Sequence, residues 1–116
     1  MWQRVLIEQS DYLRLKYMND PSWAHFSGGS RLVIEGATNL ERTEENRDPK
    51  PNVNGILRRI GKGQHLALLI AVESGDGFLI LIEGHSRATA YVASGLVTEF
   101  EMFVGSSPAM HKWCGF

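Results

Sequence analysis

The chain has little of what staples or anchors a protein. Cys114 is its only cysteine, so no intramolecular disulfide can form, and neither a cysteine-built zinc site nor a CxxC redox pair is available. Long apolar runs are missing: the longest, Leu66 to Val72, is seven residues, far short of a membrane-spanning helix. Met1 to Glu8 lacks the apolar region and small-residue cleavage site of a secretory signal. These absences lead us to expect a soluble, cytoplasmic protein with no membrane partner. A dominant charge is missing too. Twelve basic and 13 acidic side chains give a formal charge of -1, which excludes broad attraction to nucleic acid and leaves room only for a local basic patch.

What is there is a globular composition. With 116 residues, 43% of them apolar, residues 1–116 should form one domain with a real core, and two domains would not fit. The first third alternates between strand and turn signals. Val5-Leu6-Ile7 and Tyr12 to Tyr17 read as strands, the latter with a two-residue period. Asp20-Pro21-Ser22 breaks the pattern, Ser27-Gly28-Gly29-Ser30 reads as a turn, and Leu32-Val33-Ile34 as a further strand ending at Glu35-Gly36. Thr38 to Asn52 is polar and charged, and Pro49 and Pro51 suit it to a mobile surface loop with room for a short helical turn.

Order is clearer afterwards. Asn52 can cap a helix whose Val53, Ile56, Leu57 and Ile60 follow i, i+3, i+4, i+7 spacing, with Gly61 as the stop and Arg58 and Arg59 facing away. Leu66 to Val72 is apolar on both faces, as a central strand is. Glu73 to Gly77 turns the chain, and Phe78 to Ile82 should return as a hairpin. A second helix is expected from Ser86 to Ser94-Gly95. Leu96 to Val104 should be a strand with Leu96, Thr98, Phe100, Met102 and Val104 on its core face. Gly105 to Pro108 marks a turn, and Ala109 to Cys114 can add a helical turn packing Met110 and Trp113.

The segment Glu83-Gly84-His85-Ser86-Arg87 sits where an apolar strand feeds a helix. Free amides at a helix start favour phosphate or carboxylate, and arginine offers a rigid fork of donors to such oxygens. Each residue also has a plainer reading. Gly84 can solve a tight turn or admit a ligand close to the backbone. Ser86 can cap the helix or contact a phosphate. Glu83 can pair with Arg87 or hold a magnesium ion. His85 can be a structural hydrogen-bonder or move a proton near neutral pH. The segment lacks the glycine spacing of a P-loop or a dinucleotide fingerprint.

At this corner the chain resembles the ParB/sulfiredoxin-like superfamily, whose members place a Gly-x-x-Arg motif between a strand and a helix. The resemblance covers Asn52 to Val104 and implies a small α/β domain with a mixed sheet and short helices. It further implies a nucleotide site for ATP or CTP with Mg2+. By resemblance Arg87 would bind a phosphate, Gly84, His85, Ser86 and Arg87 would cradle it, Gln64 and His65 would help enclose the nucleotide, and Glu83 would match an acidic residue of kinase-like members. Catalysis, if present, would be phosphoryl transfer or phosphate-ester hydrolysis with His85 and Glu83 as the acting groups. Sulfiredoxins carry a nucleophilic cysteine where this chain has His85, which disfavours sulfinic acid repair. Partition proteins use Gly-Glu-Arg-Arg and a separate helix-turn-helix domain, which leaves a DNA clamp without its parts.

Two other readings stand beside this one. The chain can be a non-enzymatic adaptor that meets a protein partner through Thr38 to Asn52 or through Met110 and Trp113. It can be a nucleic-acid-binding domain if Arg58, Arg59, Lys62 and Arg87 converge on one face. Leu32 to Gly36 echoes Leu79 to Gly84, but no arginine follows Gly36, and His25, His65 and His111 form no recognised metal motif.

Overall fold

The computed structural model describes residues 1–64 and 66–107. Five strands, β1 (Trp2–Glu8), β2 (Leu15–Lys16), β3 (Leu69–Glu73), β4 (Leu79–Glu83) and β5 (Glu99–Gly105), form one mixed sheet in the order β1-β5-β3-β4-β2. β1 and β5 are antiparallel, β5 and β3 parallel, β3 and β4 antiparallel, and β4 and β2 parallel. Helices α1 (Pro21–Phe26), α2 (Val33–Asn39), α3 (Lys50–Gly61) and α4 (His85–Ser94) supply the rest. The domain is therefore α/β with a mixed sheet and short helices, as expected.

The register explains the layering. Ile7 lies opposite Phe100, Leu69 opposite Met102, Ala71 opposite both Val104 and Leu81, and Leu15 opposite Leu79. These residues share one sheet face because side chains alternate along a strand. They form one buried cluster with Val33 of α2, Val53 and Ile56 of α3, and Ala88 and Ala90 of α4. The helices thus cover this face. β3 sits at the centre of the sheet, which accounts for its being apolar on both faces, and its antiparallel partner β4 completes the expected hairpin.

Several local readings of the sequence are corrected. Tyr12 to Tyr17 is not a strand throughout: Gln9–Arg14 is a 3-10 helix, held at its start by reciprocal bonds between Glu8 and Asp11, and only Leu15–Lys16 is extended. Asp20-Pro21-Ser22 opens α1. Asp20 accepts the Ser22 amide at 2.8 Å and the Trp23 amide at 3.4 Å, with proline in the first turn where its missing N–H costs nothing.

The expected strand Leu32-Val33-Ile34 is a helix from Val33 onward, and only Leu32 makes a bridge, to Lys16. Val33, Gly36 and Leu40 are buried at i, i+3, i+7, so helical spacing overrides the β propensity of three adjacent aliphatics. Within Thr38 to Asn52 the short helical turn is the 3-10 segment Leu40–Arg42, but the loop is shorter than expected at both ends: α2 reaches Asn39, and α3 begins at Lys50 rather than at an Asn52 cap. β5 keeps Phe100, Met102 and Val104 inward, but Leu96 precedes the strand and is 72% exposed. The expectations for His65 and for Ala109 to Cys114 lie outside the described residues.

Candidate functional site

The corner forms as expected at backbone level. β4 ends at Glu83, Gly84 takes φ +90° as the residue before α4, and His85 begins the helix. The space left by the missing side chain of Gly84 is filled by protein. A Cβ there would collide with the Leu69 side chain at 2.1 Å and press on the Arg87 guanidinium at 3.2 Å. Gly84 therefore serves the turn and the close approach of β3, not a ligand entering from that side.

Arg87 is turned toward that same side. Its Nη1 donates to the Ala67 carbonyl at 2.6 Å and to Leu68 at 3.4 Å, tying α4 to the segment that enters β3. Gln64 lies on the approach to β3, and its side-chain oxygen accepts from Arg59 Nε at 3.3 Å. Both Arg87 and Arg59 are close enough to Tyr91 to oppose the burial that raises its phenol pKa. Arg59, Arg87 and Tyr91 thus form a cluster on the α3–α4 side, while Arg58 and Lys62 are exposed at the end of α3.

His85 is held from three directions. Its Nε2 accepts the Met18 amide at 3.2 Å, and its ring stacks on Trp23 and Tyr17, with centroids 5.2 Å and 6.0 Å away. An acceptor nitrogen must be unprotonated, so the neutral form carries its proton on Nδ1. Burial lowers the imidazole pKa, and the charges of Asp20 and Glu83 oppose that shift without reversing it. Glu83 itself is exposed. Among the described residues no group of three or more His, Cys, Asp or Glu side chains could hold a metal ion.

Ser86 faces a different space. It lines a cleft of about 340 Å³ together with Ser22, Trp23, Asp48, Pro49 and Asn52. The cleft brings together the starts of α1, α3 and α4. Helix geometry leaves the first-turn amides of α4, those of His85, Ser86 and Arg87, without intrahelical partners, and the first bond in the helix runs from Ala88 N to the Gly84 carbonyl. α3 contributes less. Lys50 N is bonded to Arg47 O, Pro51 has no N–H, and Val53 N bonds Pro49 O, so Asn52 carries its only uncommitted first-turn amide. A second hollow of about 270 Å³ shares Ser22 and Asp48 with the first and adds exposed His25, Arg42 and Arg47 to its lining.

The structure thus divides the five-residue corner. Gly84 and Arg87 belong to the β3 side, His85 to the aromatic packing under α1, and Ser86 to the cleft. Ser22, Trp23, Asp48 and Asn52 were missed as site residues because they lie in stretches that read as breaks or loop. The Asp-Pro pair of a helix start was the signal that could have found the first two. No helix among the described residues is long and apolar enough to cross a membrane. Neither protein-family models, curated proteins nor solved structures give a match to this chain.

Proposed function

We propose that the chain is a ParB/sulfiredoxin-like domain that binds a nucleotide or another phosphorylated small molecule at the start of α4. The observation that carries this reading is that Ser86, in the first turn of α4, lines the 340 Å³ cleft together with Asn52 and Ser22 from the starts of α3 and α1. The amide and hydroxyl of Ser86, at a helix start whose first-turn amides have no intrahelical partner, suit a phosphate. The positive charge along the groove would come from Arg42 and Arg47, since an Nη of Arg87 is already spent on backbone carbonyls. Asp48, which lines the cleft, is better placed than Glu83, which does not, to share a Mg2+ with ATP or CTP phosphates.

Binding is better supported than catalysis. A proton shuttle needs a lone pair or proton aimed at substrate, and the Nε2 lone pair of His85 is directed at the Met18 amide. Phosphoryl transfer would have to work through Nδ1.

Calorimetric titration with ATP, CTP, their diphosphates and inorganic phosphate, with and without Mg2+, tests the reading. Ser86→Asp places a carboxylate where the anion would sit and is compatible with a helix start. The parent should bind and Ser86→Asp should not. No affinity in the parent at any Mg2+ level, or unchanged affinity in Ser86→Asp, sinks the proposal.

A further inference from the structure

We infer that the chain forms a two-fold dimer by antiparallel pairing of β1 with β1 of a second copy. The two edges of the sheet differ. At the β2 edge the strand is two residues long, Lys16 bridges Leu32, and the Tyr17 amide donates to Arg31 O at 2.7 Å, so the edge is short and closed. β1 is seven residues long with unbroken register against β5, and no other described segment pairs with it. Natural edges are normally blunted by proline, charged side chains (lysine above all), a bulge or a covering segment; β1 has no proline, lysine or bulge, its one cation Arg4 is paired with Glu101, and no described segment covers it.

The bonding pattern identifies the free groups. Met1 and Ser106 exchange both of their backbone bonds, at 3.1 Å and 3.0 Å. Alternation then directs the N–H and C=O of Gln3, Val5 and Ile7 toward β5 and those of Trp2, Arg4 and Leu6 outward. Glu8 is already answered, its amide donating to Asp11 Oδ2 at 3.0 Å. Arg4 and Leu6 are left as donor–acceptor pairs flanking Val5.

A two-fold axis at Val5 overlaps the whole strand and sets Arg4 opposite Leu6 of the second copy, twice, so that these two residues exchange their backbone bonds, while Trp2 comes opposite Glu8, whose amide is already bonded to Asp11. On the outer face, Trp2 and Leu6 are 58% and 47% exposed in the single chain, and this register sets them diagonally across the axis from each other. Arg4, which already pairs with Glu101 on β5, comes diagonally to Glu8 of the second copy as well as to its Arg4, so each of the two arginines that flank the axis has a carboxylate of its own sheet and one of the second copy to answer it. A second copy of this chain thus satisfies the outward backbone groups of Arg4 and Leu6 together and covers the exposed faces of Trp2 and Leu6.

The test is sedimentation equilibrium of the full chain over a concentration series, with amide hydrogen exchange by NMR at high and low concentration. We expect the mass to double as concentration rises and the Arg4 and Leu6 amides to become protected with it, while Gln3, Val5 and Ile7 are protected throughout. Leu6→Lys, at an exposed position that tolerates a charge, should hold the chain at monomer mass with its cooperative thermal unfolding intact. A single-chain mass at every concentration overturns the inference. So does a dimer in which the Arg4 and Leu6 amides still exchange freely, or one that survives Leu6→Lys.

Discussion

The Tyr17 phenol oxygen and the Thr89 hydroxyl lie 2.6 Å apart in the buried core, joining the end of β2 to the middle of α4. Thr89 has one proton, and at 2.9 Å its oxygen is within donor reach of the His85 carbonyl, so the O–H of Tyr17 is the donor to Thr89. Burial pushes the Tyr17 pKa far above its ordinary value, which keeps that proton in place. The two truncations are therefore unequal. Thr89→Val strands a buried donor and should cost about 1–3 kcal/mol, whereas Tyr17→Phe leaves Thr89 bonded to His85 and should cost about 0.5–1.5 kcal/mol. Denaturant titration of both variants checks the order; equal losses would mean that the phenol has another acceptor.

Gly36 makes room for the same phenol. A Cβ there would stand 2.2 Å from the Tyr17 oxygen and within 3 Å of its ring. Alanine normally stabilises a helix interior over glycine by about 1 kcal/mol, but the overlap should reverse the sign and destabilise by about 1–3 kcal/mol. Gly55→Ala on α3 is the control. Its nearest neighbour is the tip of Arg58 at 3.7 Å, and it should stabilise by about 0.5–1 kcal/mol. Opposite signs in thermal melts confirm the argument, and a stabilising Gly36→Ala refutes it.

The sequence revealed the fold best where periodicity was long. The i, i+3, i+4, i+7 run of α3, the doubly apolar β3 and the alternating β5 all formed near their expected places because burial rewards those periods directly. It was least legible between residues 9 and 49, where elements are two to seven residues long. There, Val33 to Ile34 looked like a strand because the burial that makes it a helix comes from Tyr17 and α4, far away in sequence. The candidate site suffered in the same way. Glu83 to Arg87 was read as one constellation because its residues are contiguous, but successive helical residues point about 100° apart. Arg87 and Ser86 accordingly face different spaces.

Arg87 provides a test of that division. Its bonds to Ala67 and Leu68 hold the chain entering β3, so Arg87→Ala should cost about 1 kcal/mol, a charge-assisted bond discounted for partial exposure. Arg87→Lys retains one donor and should recover part of the loss. The Leu69 amide, next to the tethered carbonyls, should exchange faster in Arg87→Ala. A variant as stable as the parent with unchanged exchange would free Arg87 for a ligand and return it to the site.

His85 should give the fold a sensitivity to mild acid. Its folded-state pKa is lowered, chiefly by desolvation against the opposing charges of Asp20 and Glu83, and protonation of Nε2 would in addition break the bond from the Met18 amide. In the unfolded chain the ring titrates near its ordinary value of about 6.5. Above that pH both states are neutral and the full contribution is present. As pH falls below it the unfolded state takes up a proton first, and stability is lost progressively until pH has passed through the lower folded value. His85→Phe keeps a stacking ring and removes the titration. The parent should therefore lose more melting temperature than His85→Phe between about pH 7.5 and about pH 5, while carboxylate contributions are common to both. Parallel pH profiles would show that His85 can be protonated in place, which would restore it as a proton donor at the start of α4.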